Sequence, residues 1–188
     1  MKRLLAAIVV TLAVALRAAG APVFDDTARG QKLDELFHEL KTAPTASDAA
    51  SAERQISAIW LDSGDPDINR QMAVAMQAMD ELYYGSALKV FNNIIVVRPD
   101  YAEAWNKRAT LYYLVGNYQD SLSDIDRVLA LEPRHFGAIA GKGMVLLKLR
   151  RPADALAAFR DALAIDPALS NIEMEVRMLA AQLGDKPT

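Results

Sequence analysis

The sequence predicts an all-α fold of stacked antiparallel helix pairs, and three observations carry the prediction. Pro99, Pro133 and Pro167 stand 34 residues apart, and the chain is self-similar around them. A period of that length belongs to helix-turn-helix units that bury their apolar faces only against their neighbours. Apolar residues recur at helical spacing through most of the chain, and no segment reads as a convincing strand.

The elements follow in order. Lys2-Arg3, the apolar run Leu4 to Leu16 and the small residues Ala18-Ala19-Gly20-Ala21 read as a secretory signal peptide over 1–21. A run of about 13 residues is short for a membrane span. The expected address is therefore the periplasm or the exterior, the alternative being an uncleaved N-terminal anchor in the inner membrane. Residues 22–31 read as a flexible segment. Within 32–67, Leu33, Leu36, Phe37 and Leu40, then Ala52, Ile56, Ile59 and Trp60, predict a degenerate helical pair that caps the stack at its N-terminal end. Thr45 with Asp48 forms a capping-box pattern for the second helix, and Asp65-Pro66 an N-cap with a first-turn proline for the next.

Three repeat units are expected at 68–101, 102–135 and 136–169. Each ends at its proline, which pushes the preceding residue out of helical geometry. Gly116-Asn117 suits the tight turn inside the middle unit, and Arg150-Arg151-Pro152 occupies that turn in the third. A helix over 170–183 caps the array. Arg177 stands there where the other units carry Ala75, Ala109 and Gly143, so a further helix has nothing to close against. Residues 184–188 are a tail.

The units resemble the tetratricopeptide repeat (TPR). Trp105, Ala109, Tyr112, Ser121, Ile125 and Pro133 stand where that family places Trp, a small residue, Tyr, a small residue, a large apolar residue and Pro. Ile139, Gly143, Leu146, Ala155, Phe159 and Pro167 follow in phase, as do Gln71, Ala75, Ala78, Ala87, Phe91 and Pro99; Gln71 and Ala78 depart from the pattern. The resemblance implies a right-handed superhelix whose first helices line a concave surface where partner proteins bind.

Carried over by position, that surface comprises Met72, Met76 and Met79, then Asn106, Lys107, Thr110 and Tyr113, then Met144 and Leu147, and finally Met174 and Met178. Every methionine other than Met1 falls on it. Gly137 and Gly141 flank it. Methionine is flexible and polarizable, so such a face suits an apolar helix or extended peptide. The same residues at helical spacing also suit ordinary packing between neighbouring first helices, and the sequence leaves both open. The ring of basic residues with which some relatives clamp a chaperone's terminal carboxylate is missing, because Met72, Met76, Gly137 and Gly141 occupy its places.

Arg108 and Lys142 occupy a position that is usually apolar. Asp124 and Asp126 are their candidate partners in a polar seam, and Asn106, Lys107 and Arg108 are a candidate anion patch. The acidic run Asp62, Asp65, Asp67 reads as a capped helix start, since it lacks the glycine and terminal Glu of a calcium loop. With no cysteine and two histidines, His38 and His135, nothing has the spacing of a zinc site or a catalytic triad. His135 reads as a turn residue between units. Loss of 1–21 removes three bases and no acid, leaving 18 basic against 24 acidic residues and a charge of about −6, which argues against nucleic acid as a partner. The expectation is a non-enzymatic scaffold without a cofactor that binds a protein or peptide. The alternative is a self-assembling module that uses the same surfaces between identical chains.

Overall fold

The computed structural model describes residues 26–184, which form nine α-helices and no strand. The signal segment, residues 22–25 and the end of the tail lie outside the described residues. The helices are α1 (Asp26–Thr42), α2 (Ala46–Leu61), α3 (Pro66–Asp80), α4 (Tyr84–Val97), α5 (Ala102–Leu114), α6 (Tyr118–Leu131), α7 (Phe136–Lys148), α8 (Pro152–Ile165) and α9 (Ser170–Leu183). The pairs α3–α4, α5–α6 and α7–α8 pack as antiparallel hairpins, and α9 closes on α8 to end the stack.

Small residues set how closely the paired helices approach. Ser121 Oγ, buried on α6, donates to the Ala109 carbonyl of α5 at 2.8 Å, so even the polar atom at this contact is satisfied. In the third unit the approach is closer. A Cβ added to Gly143 would sit 2.3 Å from Cε1 of Phe159, whose ring is fully buried. Glycine at 143 is what allows phenylalanine at 159. Phe91 fills the corresponding core of the first unit against Ala75, Ala87 and Leu111.

Each unit turns from its first helix to its second through a residue of positive φ, again 34 positions apart: Leu82 (64°), Gly116 (80°) and Arg150 (59°). Only the middle unit places glycine where the left-handed conformation carries no Cβ penalty.

The helix starts follow local chemistry. Thr45 Oγ1 accepts from the Asp48 amide at 3.2 Å and donates to its carboxylate at 2.6 Å. Asp65 Oδ1 accepts from the amides of Asp67 and Ile68, ahead of Pro66. Asp62 accepts from the Gly64 amide and Asn69 Nδ2. The acids of this loop are occupied in shaping it.

The N-terminal pair departs from expectation in extent and place. Its first helix begins at Asp26, inside the segment expected to be flexible. The pair does not cap the array by stacking beneath the first unit. It lies lengthwise along the edge formed by the junctions between units, and its core of Leu36, Phe37, Leu40, Ala52, Ile56 and Trp60 is completed by Phe136, Ile165 and Leu169. Near the start of α3, Tyr101 Oη donates to the Leu61 carbonyl at 2.6 Å. Midway, Trp60 stacks on His135 with centroids 4.0 Å apart and planes 14° from parallel. There Arg134 also pairs with Asp34 at 2.6 Å, its guanidinium above Phe37. The rings of Phe37, Trp60 and Phe136 meet at this joint with centroids 5.2 to 6.5 Å apart.

Candidate functional site

Two clefts open on the face built by the first helices. One lies between α5 and α7 and encloses about 140 Å³, lined by Asn106, Thr110, Tyr113, Gly137, Gly141 and Met144 over a floor that includes Ser121 and Ile125. Its wall is open because α7 carries glycines there. A Cβ on Gly141 would meet nothing nearer than Ile125 Cδ1 at 3.9 Å. The cavity is about the size of one large apolar side chain, with Asn106 and Thr110 as polar groups on its lining.

The second cleft, of about 530 Å³, lies between the end of α2 and the outer face of α3. Ala58, Leu61 and Asp62 form one wall; Asn69, Met72, Met76, Gln77 and Asp80 form the other. The Asn69 side chain and the Gly64 amide hold the Asp62 carboxyl below its usual range, so it is ionised at this rim. Because α2 supplies a wall, the groove of the first unit is shared with the N-terminal hairpin, which a purely periodic array would not provide.

The expected groove residues do not all share one surface. Asn106, Thr110, Tyr113 and Met144 come together around the smaller cleft, and Met76 lines the larger one. Met72 lines that cleft too, but it is 1% exposed and belongs to the core around Phe91. Met79 packs against that same core, and Leu147 against the core of the third unit. Met174 and Met178 are exposed on α9, away from both clefts. A first helix that leans against its neighbour in a superhelix turns some face positions inward, which explains the split.

Lys107 is committed elsewhere. Its ammonium pairs with Glu103 at 2.9 Å, and the same buried carboxylate accepts from Asn106 at 3.1 Å and meets His135 Nε2 at 3.0 Å. The Ala138 amide donates to His135 Nδ1 at 3.1 Å, so the ring proton sits on Nε2 and points at Glu103. Burial pushes the Glu103 pKa up, but the His135 hydrogen bond and the Lys107 charge outweigh it and hold the group below its usual range. His135 is thus a turn residue with a buried structural task, wedged between Trp60 and Glu103. Sequence reasoning missed Glu103 because nothing in the motif marks a carboxylate that only a distant histidine completes.

The polar seam forms as its residue types require. Arg108 makes a two-pronged pair with Asp124, both bonds at 2.7 Å, and its remaining nitrogen reaches Asn92 Oδ1 at 2.7 Å. It is flanked by the rings of Trp105 and Tyr112. Lys142 pairs with Asp126 at 2.8 Å. The candidate anion patch does not assemble, since Lys107 and Arg108 are each neutralised by a carboxylate and Asn106 binds Glu103. Among the described residues no group of three acids or histidines has the arrangement of a metal site, and no helix is long and apolar enough to cross a membrane.

Comparison with known proteins agrees with this geometry. A tetratricopeptide repeat model matches residues 107–170. A TPR repeat-containing protein of Rhizobium etli is 40% identical over 158 residues, covering 84% of this chain and 78% of that protein. This chain belongs to the tetratricopeptide repeat family, whose domains are protein–protein interaction modules. Among solved structures, MamA superposes with a TM-score of 0.60 over 79% of this chain and 85% of its own, at 16% identity. The first TPR domain of Spaghetti (RPAP3), bound to an HSP90 peptide, gives a TM-score of 0.60 over 62% of this chain and 93% of its own, also at 16% identity. At such identities the likeness is one of fold.

Proposed function

We propose that this protein is a non-enzymatic adaptor that holds an apolar helix or extended peptide of a partner protein in its concave groove, and that it acts in the periplasm after removal of residues 1–21. The observation that carries the proposal is the cleft between α5 and α7, an apolar socket of about 140 Å³ left open by Gly137 and Gly141. A socket of that kind accepts one anchoring side chain, and burying a Leu, Met or Phe there contributes about 1.5–3 kcal/mol. The larger cleft at Met76 extends the contact along the array. With no basic ring at the positions of Met72, Met76, Gly137 and Gly141, the groove selects apolar sequence over a terminal carboxylate.

The test is affinity capture from envelope extract with the wild type beside Met144→Glu and Gly141→Leu. The first places a charge at the socket, and the second fills it where the backbone has room. A partner retained by the wild type and lost from both variants, with helicity unchanged, supports the reading. Equal retention by all three moves the binding site away from the groove.

A second reading, self-assembly of identical chains, has one observation in its favour. Met174 and Met178 leave an apolar face of α9, 60% and 52% exposed, with no helix packed on it among the described residues. Light scattering separates the two readings, because a mass that stays monomeric over a wide concentration range removes the second.

A further inference from the structure

The N-terminal hairpin crosses three junctions between units, and the one furthest from its link to α3 is built unlike the others. At the first two junctions the titratable side chains Tyr101 and His135 each meet a partner of opposite character, a carbonyl for Tyr101 and a carboxylate for His135. At the third junction an acid meets an acid. Asp166 ends α8 and is 0% exposed; its Oδ1 accepts from the Ala168 amide at 3.0 Å, and its Oδ2 is buried without a donor. The group set against it is Glu53, half-buried on α2. Two ionised carboxylates cannot satisfy each other, whereas one proton between them converts repulsion into a hydrogen bond.

We propose that the α1–α2 hairpin is a pH-governed clasp: a proton shared between Glu53 and Asp166 fastens the middle of α2 to the α8–α9 junction, and loss of that proton loosens it. Burial and the charge of Asp166 push the Glu53 pKa up, with Arg54 beside it on α2 acting in the opposite sense. Burial likewise pushes Asp166 up, opposed by the Ala168 amide and by Glu53. Both groups therefore bind a proton more tightly docked than undocked. Docking is strongest at pH values below their undocked range and weakens as pH rises through the docked one.

The direction distinguishes this device from the buried Glu103 at the middle junction. Protonation of Glu103 would break its pairs with Lys107 and His135. That change loosens the hairpin toward acid, whereas the Glu53–Asp166 pair loosens it toward base. Because α2 walls the larger cleft, the clasp also sets the width of the groove beside Met76. It does not depend on what the groove binds.

The test is amide hydrogen exchange of the whole protein at about pH 5 and about pH 8, with protection corrected for intrinsic exchange and expressed for α2 relative to α5–α8. In the wild type this ratio falls toward pH 8. In Asp166→Asn and Glu53→Gln it stays constant at the higher, acid value. A wild-type ratio that is flat or rises with pH overturns the proposal, as does a fall that persists in either variant. Glu53→Gln lies on a partly exposed face of α2, so it reads the same outcome if the buried Asp166→Asn fails to fold.

Discussion

The repeat stack and the N-terminal hairpin are assembled by different kinds of contact. In the stack each helix meets its sequence neighbours, and fit comes from size: Ala109 against Ser121, Gly143 against Phe159. In the hairpin the decisive contacts join residues far apart in sequence, such as Asp34 with Arg134 and Trp60 with His135. They depend on rings and charges meeting at loops. A periodic contact repeats and can be lost locally only with damage to its neighbours. The hairpin's contacts occur once each, so the hairpin can come away while the stack survives.

Substitutions separate the two regions, and the largest effects lie in the stack. Phe159→Ala removes a fully buried ring and is expected to cost about 3–5 kcal/mol, seen as a fall in the urea midpoint of the whole cooperative transition. Gly143→Ala forces a methyl group into that same ring and is expected to cost about 1–3 kcal/mol. The double variant Gly143→Ala, Phe159→Leu should recover part of that loss, because the two positions compete for one space. If Gly143→Ala is silent, the close approach of α7 and α8 is wrong.

Trp60→Ala breaks the hairpin instead. Losing the ring from between Phe37, His135 and Phe136 is expected to cost about 3 kcal/mol, but the loss should be local. Exchange of α1 and α2 amides should rise while α5–α8 stay protected, and melting should split into two steps. A single cooperative loss of all nine helices would show that the hairpin and the stack form one unit.

The same difference decides how much of the molecule was legible in the sequence. Ala109, Pro133 and Phe159 announce the array because each belongs to a residue type that recurs at a fixed interval, and periodicity is visible without coordinates. The partners of Arg108 and Lys142 were legible too, since a charge inside a repeat must meet one on the adjoining helix. The position of α1 and α2 was not. Leu36 and Trp60 show helical faces, but nothing local says that those faces meet Phe136 and Leu169 rather than the first unit. The groove was half legible. Motif position brought Asn106, Thr110, Tyr113 and Met144 to one socket, yet it could not tell exposed Met178 from buried Met72, because superhelical twist decides which face positions remain open.

A smaller effect probes the polar joint between the two regions. Glu103 is held ionised below its usual range by contacts formed only in the fold. It therefore contributes stability that is complete above the unfolded carboxylate range and is lost as pH falls through its folded pKa. Hydrogen bonds to a charged group contribute about 1.5–3 kcal/mol. Glu103→Gln should lower stability near neutral pH by an amount of that order and flatten the acid limb of a plot of urea midpoint against pH. An unchanged acid limb would remove Glu103 from the joint.

The smallest expected effect lies back in the repeats, at the turn that each unit makes through positive φ. Leu82 and Arg150 hold φ of 64° and 59° with a Cβ, while Gly116 holds 80° without one. A left-handed conformation costs a residue with a Cβ about 1–2 kcal/mol, and the greater freedom of an unfolded glycine returns about 0.5–1 kcal/mol of that. Leu82 is 68% exposed, so its replacement loses little packing. Leu82→Gly and Arg150→Gly should therefore each stabilise the protein by roughly 0.5–1 kcal/mol. At Gly116 an added Cβ would meet no atom within 4 Å, so Gly116→Ala isolates the backbone term and should destabilise by a similar amount. Thermal melts of the three variants would check the signs together. If Leu82→Gly destabilises while Arg150→Gly stabilises, the Leu82 side chain makes a contact that its exposure conceals, and the first unit's turn differs in kind from the third's.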